Sequence, residues 1–201
     1  MGGTFNPPHV GHAVCAQEAY TQLGLDRVIW MPVHEPPHKH SASDPGPEHR
    51  MRLCERAIAG DDRFEVSRLE IDRLGSSFTV DTLQALHERA PDDELVFIVG
   101  GDMAHSFPRW REPERVLQLA SLAVAERSDH DRASIQRELS VLTASAQRVR
   151  FFEMPRIDVS STLIRQRVAT GYPVRYLVSD AVAKYIESHG LYRGAEKELV
   201  G

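Results

Sequence analysis

The chain has little cysteine, no excess of positive charge and no long apolar run, and each shortage removes a class of protein. Two cysteines in 201 residues, Cys15 and Cys54, are too few for a disulfide framework. Both fall in helix-like patterns and read as reduced packing residues. With 24 Lys+Arg against 29 Asp+Glu, the formal net charge is −5 and the pI about 6.1. That balance argues against a protein that grips long nucleic acid through a basic face. The longest apolar stretches, such as residues 95–99, fall far short of the roughly 20 needed to cross a bilayer, so no membrane partner is expected. Residues 1–9 show no basic segment followed by an apolar one, and Asn6 breaks a myristoylation pattern, so the chain reads as cytoplasmic.

What is present suits one globular domain over residues 1–201: 41% hydrophobic and 26% charged residues are enough to bury a core. Short β-rich runs at 28–33, 64–71, 95–99, 122–125 and 149–152 predict buried strands. Helix-like segments at 12–23, 48–59, 80–89, 113–119 and 133–146 lie between them. This alternation predicts an α/β fold, a Rossmann-like doubly wound parallel sheet whose ligands bind at the carboxyl ends of the strands. The stretch 34–49, with Pro36, Pro37, Pro45, Gly46 and Pro47, reads as a loop over the site. Residues 151–193 form a C-terminal helical part with helices at 161–170 and 180–188, and 194–201 read as a frayed tail.

Two segments carry chemistry. Gly2-Gly3-Thr4-Phe5-Asn6-Pro7-Pro8-His9-Val10-Gly11-His12 joins a glycine turn to a helix start bearing two histidines. Glycines let backbone approach a phosphate, and a helix start offers unpaired amides and a positive dipole end. Taken alone, the stretch is equally a Pro/Gly turn with surface histidines. In Val159-Ser160-Ser161-Thr162-Leu163-Ile164-Arg165, either serine can cap a helix, and Arg165 can lean back toward an anion at its start. Arg167 points elsewhere and reads as solvated surface. Six of ten histidines fall early, at 9, 12, 34, 38, 40 and 49, but neither cysteine is spaced to join them in a zinc site.

The sequence resembles the bacterial nicotinate mononucleotide adenylyltransferases of the His-x-Gly-His nucleotidyltransferase superfamily. Besides the two motifs, the likeness rests on Pro36-Pro37-His38-Lys39, Ser77-Phe78-Thr79-Val80-Asp81-Thr82-Leu83, Gly100-Gly101-Asp102 with Trp110 beyond, and Gly190-Leu191-Tyr192. It spans nearly the whole chain, and six blocks in this order are specific where one would be weak. The resemblance implies AMP transfer from ATP to nicotinate mononucleotide in NAD biosynthesis, with His12, His9 and Arg165 as catalytic residues. ATP would meet Gly2, Gly3, Thr4, Phe5, His9, His12, Gly100, Asp102, Ser160, Ser161 and Arg165. The mononucleotide would meet Asn6, Lys39, Thr79, Asp102 and Trp110. Magnesium would arrive on the ATP phosphates, with no protein ligand set, and a homo-oligomer is left open. For Thr79 a helix N-cap and for Trp110 a core aromatic are the plainer alternatives.

The chain departs from that pattern in three places. Only Met1 precedes Gly2 where a short apolar strand is usual, which predicts a truncated first strand and a chain more stable and more active when extended upstream. Ser179 stands where proline is common, and Ser128-Asp129-His130 follows Arg127 where relatives often have Pro-Gly, leaving any role of Arg127 open. The rival activities are adenylyl transfer to nicotinamide mononucleotide or to phosphopantetheine. A non-catalytic nucleotide-binding sensor is the alternative of another class.

Overall fold

The computed structural model describes residues 1–35, 43–126, 132–143 and 145–194. Six parallel strands carry the fold: β1 (Gly2–Gly3), β2 (Val28–Pro32), β3 (Phe64–Val66), β4 (Val96–Gly100), β5 (Ser121–Glu126) and β6 (Val149–Glu153). They pair as two three-stranded sheets, β1-β2-β3 and β4-β5-β6. A Cβ added at Gly2 would lie 3.7 Å from the Phe97 ring, so β1 runs beside β4 and the sheets meet there. The spatial order is therefore β3-β2-β1-β4-β5-β6, which reverses direction between β1 and β4.

Side-chain alternation along the strands builds a core on each face. Leu122 and Val124 of β5 point to one side, with Val99, and are covered by α4 (Thr79–Arg89), α5 (Gly101–Ser106), α6 (Pro113–Leu119) and α7 (Arg132–Leu139). Ala123, Ala125 and Ile98 point to the other, with Trp30 and Phe152, beneath α1 (Val10–Leu23) and α2 (Pro47–Ala57). Helices on both faces make the sheet doubly wound, as expected. A third cluster joins Leu53 of α2 to Ile164 of α9 (Ser161–Ala169) and to Val182 and Ile186 of α10 (Asp180–Ser188). The C-terminal part is thus packed outside α2.

Three boundaries differ from expectation for local reasons. The strand expected over 64–71 ends at Val66, because the Ser67 hydroxyl accepts from the Leu69 amide and starts α3 (Leu69–Arg73). The helix expected over 133–146 divides into α7 and α8 (Ser145–Arg148); Ser140 bonds back to the Arg137 carbonyl, and the turn buries Leu142. The helix α5 opens on two residues whose glycine and aspartate character hides helical periodicity. Ser179, in place of proline, caps α10 by accepting from the Val182 amide. Cys54 is buried, which pushes its thiol above the ordinary range, and both cysteines are free.

At β1 the ladder is short. Met1 extends it by donating its amine to Ile29 O at 2.8 Å and accepting from Met31 N at 3.0 Å. Burial pushes that amine down to about 6. Beyond it, Val28, Ile29, Val96 and Phe97 line one end of a cavity of about 1830 Å³ that continues to the carboxyl ends of the strands.

The load on the central sheet is testable at Leu122, fully buried between the helices of one face. Leu122→Ala should lower stability by about 2–5 kcal/mol, read from urea unfolding, while a loss below about 1 kcal/mol would contradict the packing described.

Candidate active site

The reversal between β1 and β4 opens a cleft, and the chain leaves both strands into it. From β1 the turn Thr4-Phe5-Asn6-Pro7-Pro8 leads to α1, whose N-cap is His9. Phe5 takes a left-handed φ of 50° with its ring buried against Trp30, 5.2 Å between centroids. This ring anchors the turn to the core. Gly3 has no Cβ for a reason: one would come within 3.1 Å of the Phe5 ring. From β4, Gly100 caps α5, and Asp102 stands exposed in its first turn.

The two histidines meet at the start of α1 with ring centroids 3.8 Å apart. The His9 amide donates to His12 Nδ1 at 3.1 Å. An imidazole nitrogen that accepts is unprotonated, so in the neutral ring the proton sits on Nε2, which becomes a donor. The His12 ring is held on a second side by Phe5, edge-on at 5.1 Å, and lines the cavity. Gly11 leaves room for this pair, since its Cβ would approach His9 Cε1 and Nδ1 to 3.1 Å.

The second motif closes the cleft from 154 or more residues away. Ser160 caps α9 by accepting from the Leu163 amide. Ser161 donates to Pro7 O at 2.8 Å, tying α9 to the first turn. Arg165 does lean toward the helix start: Nη1 donates to Asn6 O at 2.9 Å and Nη2 to Thr162 Oγ1 at 3.3 Å. It is buried, so its charge lies within the wall of the site. Arg167 is not simply solvated, because its Nε donates to Pro173 O and its guanidinium covers Tyr172, which locks the end of α9.

The cavity's far side gathers Ser77, Phe78 and Thr79 with Trp110. Thr79 is the first residue of α4 rather than its cap, which is Phe78. Trp110 is half-buried, its Nε1 donating to Ser106 Oγ at 3.0 Å and its ring edge-on to Phe97. It thus has both a packed edge and a face on the cavity. Lys39 and Arg127 lie outside the described residues.

Sequence reasoning missed several groups in this wall. Asn6 Oδ1 is buried without a partner, and Asn6 lines the cavity. Arg109, beside Trp110, lines it too. Arg50 is fully buried behind the first turn. Nothing in a single sequence separates these from other arginines, since their value comes from tertiary placement. Among the described residues, no three His, Cys, Asp or Glu side chains gather as a metal cage.

Gly11→Ala separates site from stability. It replaces glycine inside a helix, which raises helix propensity by up to about 1 kcal/mol, yet crowds the His9 ring. Expected is an unchanged or raised melting temperature with turnover lowered roughly tenfold; a variant with full turnover would remove the steric reason for this glycine.

Comparisons with known proteins agree with this arrangement. The cytidylyltransferase-like family model matches residues 1–167. A probable nicotinate-nucleotide adenylyltransferase of Roseiflexus sp. (strain RS-1) is 44% identical over 193 residues, covering 96% of each chain. One of Tropheryma whipplei (strain Twist) is 40% identical over 193 residues, 96% of this chain and 98% of its own. Among solved structures, a Plasmodium falciparum nicotinic acid mononucleotide adenylyltransferase complexed with NaAD superposes with a TM-score of 0.77 at 16% identity, over 95% of this chain and 94% of that one. A Vibrio parahaemolyticus protein described as a nicotinate-nucleotide adenylyltransferase gives 0.68 at 19% identity, over 96% and 93%. Those likenesses speak for the fold, and the sequence relatives for the family. The chain belongs to the cytidylyltransferase-like family, in company with proteins named nicotinate-nucleotide adenylyltransferases.

Proposed function

We propose that this chain transfers AMP from ATP to nicotinate mononucleotide, giving nicotinate adenine dinucleotide and pyrophosphate in NAD biosynthesis. The observation that carries the reading is the convergence of two helix starts, α1 with His9 and His12 and α9 with Ser160 and Ser161, on one turn after β1. Such a pair of helix starts suits a ligand with several phosphates. An oxygen of the mononucleotide's 5′-phosphate bonds to the α-phosphorus of ATP, and the bond from that phosphorus to the oxygen bridging the β-phosphate breaks. Pyrophosphate leaves with the electron pair. A phosphate monoester with second pKa near 6 is already mostly dianionic at neutral pH, so no general base is needed. The site's task is alignment and stabilisation of charge at the α-phosphoryl group and the leaving group.

His12 is the donor for that task, because its Nδ1 is engaged by the His9 amide and Nε2–H is left to face a phosphoryl oxygen. His9 packs on it and shares the phosphates. Gly2, Gly3, Thr4 and Phe5 offer the turn's backbone to ATP, Gly100 and Asp102 meet its ribose side, and Arg165 with Ser160 and Ser161 holds the triphosphate end. On the other side Asn6, with its unpartnered Oδ1, takes a donor of the mononucleotide. Thr79 and Trp110 receive the pyridine ring, Trp110 by stacking, and Lys39 adds a cation. Arg109 on the same wall favours a ring bearing a carboxylate over one bearing an amide. Magnesium bound by ATP phosphates would neutralise charge there while keeping several waters, which needs no protein cage. The reaction's setting is taken to be the cytoplasm.

Pyrophosphate release from ATP with each mononucleotide tests the reading: nicotinate mononucleotide should give the higher kcat/KM. A preference for the nicotinamide or phosphopantetheine substrate would reassign the acceptor, and no release with any would leave only a nucleotide-binding role. His12→Ala should lower kcat by roughly 10²–10³-fold with ATP binding changed less, as for loss of one preorganised donor. Arg165→Lys should be damaging because an ammonium cannot replace a guanidinium fork. Arg167→Lys should be mild, and the reverse order would overturn the assignment of the α9 arginines.

A further inference from the structure

Arg50 stands on α2 with 0% of its surface exposed, in a protein whose other arginines are mostly at the surface. A buried guanidinium is costly unless its N–H groups are bonded. Here Nη1 donates to Thr4 O at 3.2 Å and to Val33 O at 2.6 Å, Nη2 to His34 O at 2.8 Å, and Nε to Asp44 Oδ1 at 3.0 Å. Three of the four acceptors are backbone carbonyls. The only charged partner among them is Asp44, itself partly exposed. A group placed for stability alone has no need to take the carbonyl of the residue that follows β1 into the cleft.

The consequence follows from peptide geometry. The Thr4–Phe5 bond is trans, so its C=O and N–H point in opposite directions. With Thr4 O drawn back onto Arg50, the Phe5 N–H faces away from that guanidinium. Thr4, Phe5, Asn6 and His12 all line the cavity, and Arg50 sits behind them. Phe5 needs φ of 50°, a costly conformation for an aromatic residue, and the carbonyl bond to Arg50 helps to hold it. Residues 33 and 34 follow β2, so the same side chain also fixes how the neighbouring strand end lies against the turn.

We propose that Arg50 is a positioning residue for adenylyl transfer: by holding the Thr4 carbonyl it aims the Phe5 amide at the phosphoryl groups in the cleft. The proposal rests on the adenylyltransferase reading given above. Arg50 touches no substrate, and it acts through the turn. Lysine can bond only part of the acceptor set because its ammonium lacks the planar fork, and methionine can bond none.

The experiment compares Arg50→Lys and Arg50→Met with the parent chain and with Leu122→Ala. Each is assayed for pyrophosphate release at a temperature where circular dichroism reports it fully folded. Expected for Arg50→Met is a kcat lower by roughly 10- to 100-fold with the KM for ATP within about threefold, Arg50→Lys recovering part of the kcat. Leu122→Ala, destabilised through the core far from the turn, should keep its kcat within about threefold. If Arg50→Met does not fold, Arg50→Lys decides alone, with a kcat loss of at least about fivefold expected. Parent-like kcat in the Arg50 variants, or an equal loss in Leu122→Ala, would overturn the positioning role. An inactive parent chain would instead overturn the adenylyltransferase reading, so the two failures are distinguishable.

Discussion

A site for polyanions must turn its carbonyl oxygens away from the ligand, and in this fold that constraint governs the turn between β1 and α1. Every peptide unit that offers an N–H carries an oxygen of opposite sign at its other end, so a phosphate cradle exists only where those oxygens are occupied elsewhere. Gly3 O accepts from Val33 N, Thr4 O from Arg50, Asn6 O from Arg165, Pro7 O from Ser161, and His9 O from the amides of α1. Two of these donors are buried guanidinium groups. Each removes an oxygen from the cleft and adds positive potential behind it, where low dielectric strengthens its reach.

The same constraint explains why the C-terminal helices belong to the domain. Ser161 and Arg165 reach the first turn across more than 150 residues of sequence, so the cradle is complete only when α9 is docked. Docking depends on apolar contacts. Ile164 faces away from the site into the cluster with Leu53, Val182 and Ile186, and α2 carries Leu53 there while carrying Arg50 to the turn. Tyr192, from the Gly-Leu-Tyr segment, is buried in this cluster, and burial raises its phenol above the ordinary range. The third core thus holds the second phosphate motif against the first.

How much of this was legible in the sequence depends on the range of the interaction. Strands β4, β5 and β6 were readable because they are buried on both faces and so run apolar without interruption; β3 was overread because apolar residues of α3 follow it directly. The capped start of α9 and the direction of Arg165 follow from local helix geometry and were read correctly. Arg167 was misjudged because its partner, Pro173 O, lies in the turn beyond the helix. Arg50 was invisible because its four partners come from three separate stretches of chain, and no periodicity encodes that convergence. Likewise Thr79, Trp110 and Arg109 share a wall through the packing of α4 against the segment after α5 rather than through any spacing.

The histidine pair shows how little local sequence is needed once the turn is set. The first amides of a helix lack partners within it, and an anion would ordinarily take them. Here the His9 amide is taken by His12 Nδ1, so the helix start gives up one backbone donor. In exchange the imidazole carries its remaining proton to Nε2, on the far side of a ring that spans the gap between backbone and cavity. A donor on the tip of a wedged ring can reach a phosphoryl group that the amide itself is too recessed to touch. The wedge requires Phe5 on one side and His9 on the other, and His9 requires the bare Gly11. The spacing of the motif is therefore the spacing of one helical turn, with glycine at the only position where a Cβ would press on the ring that supports the donor.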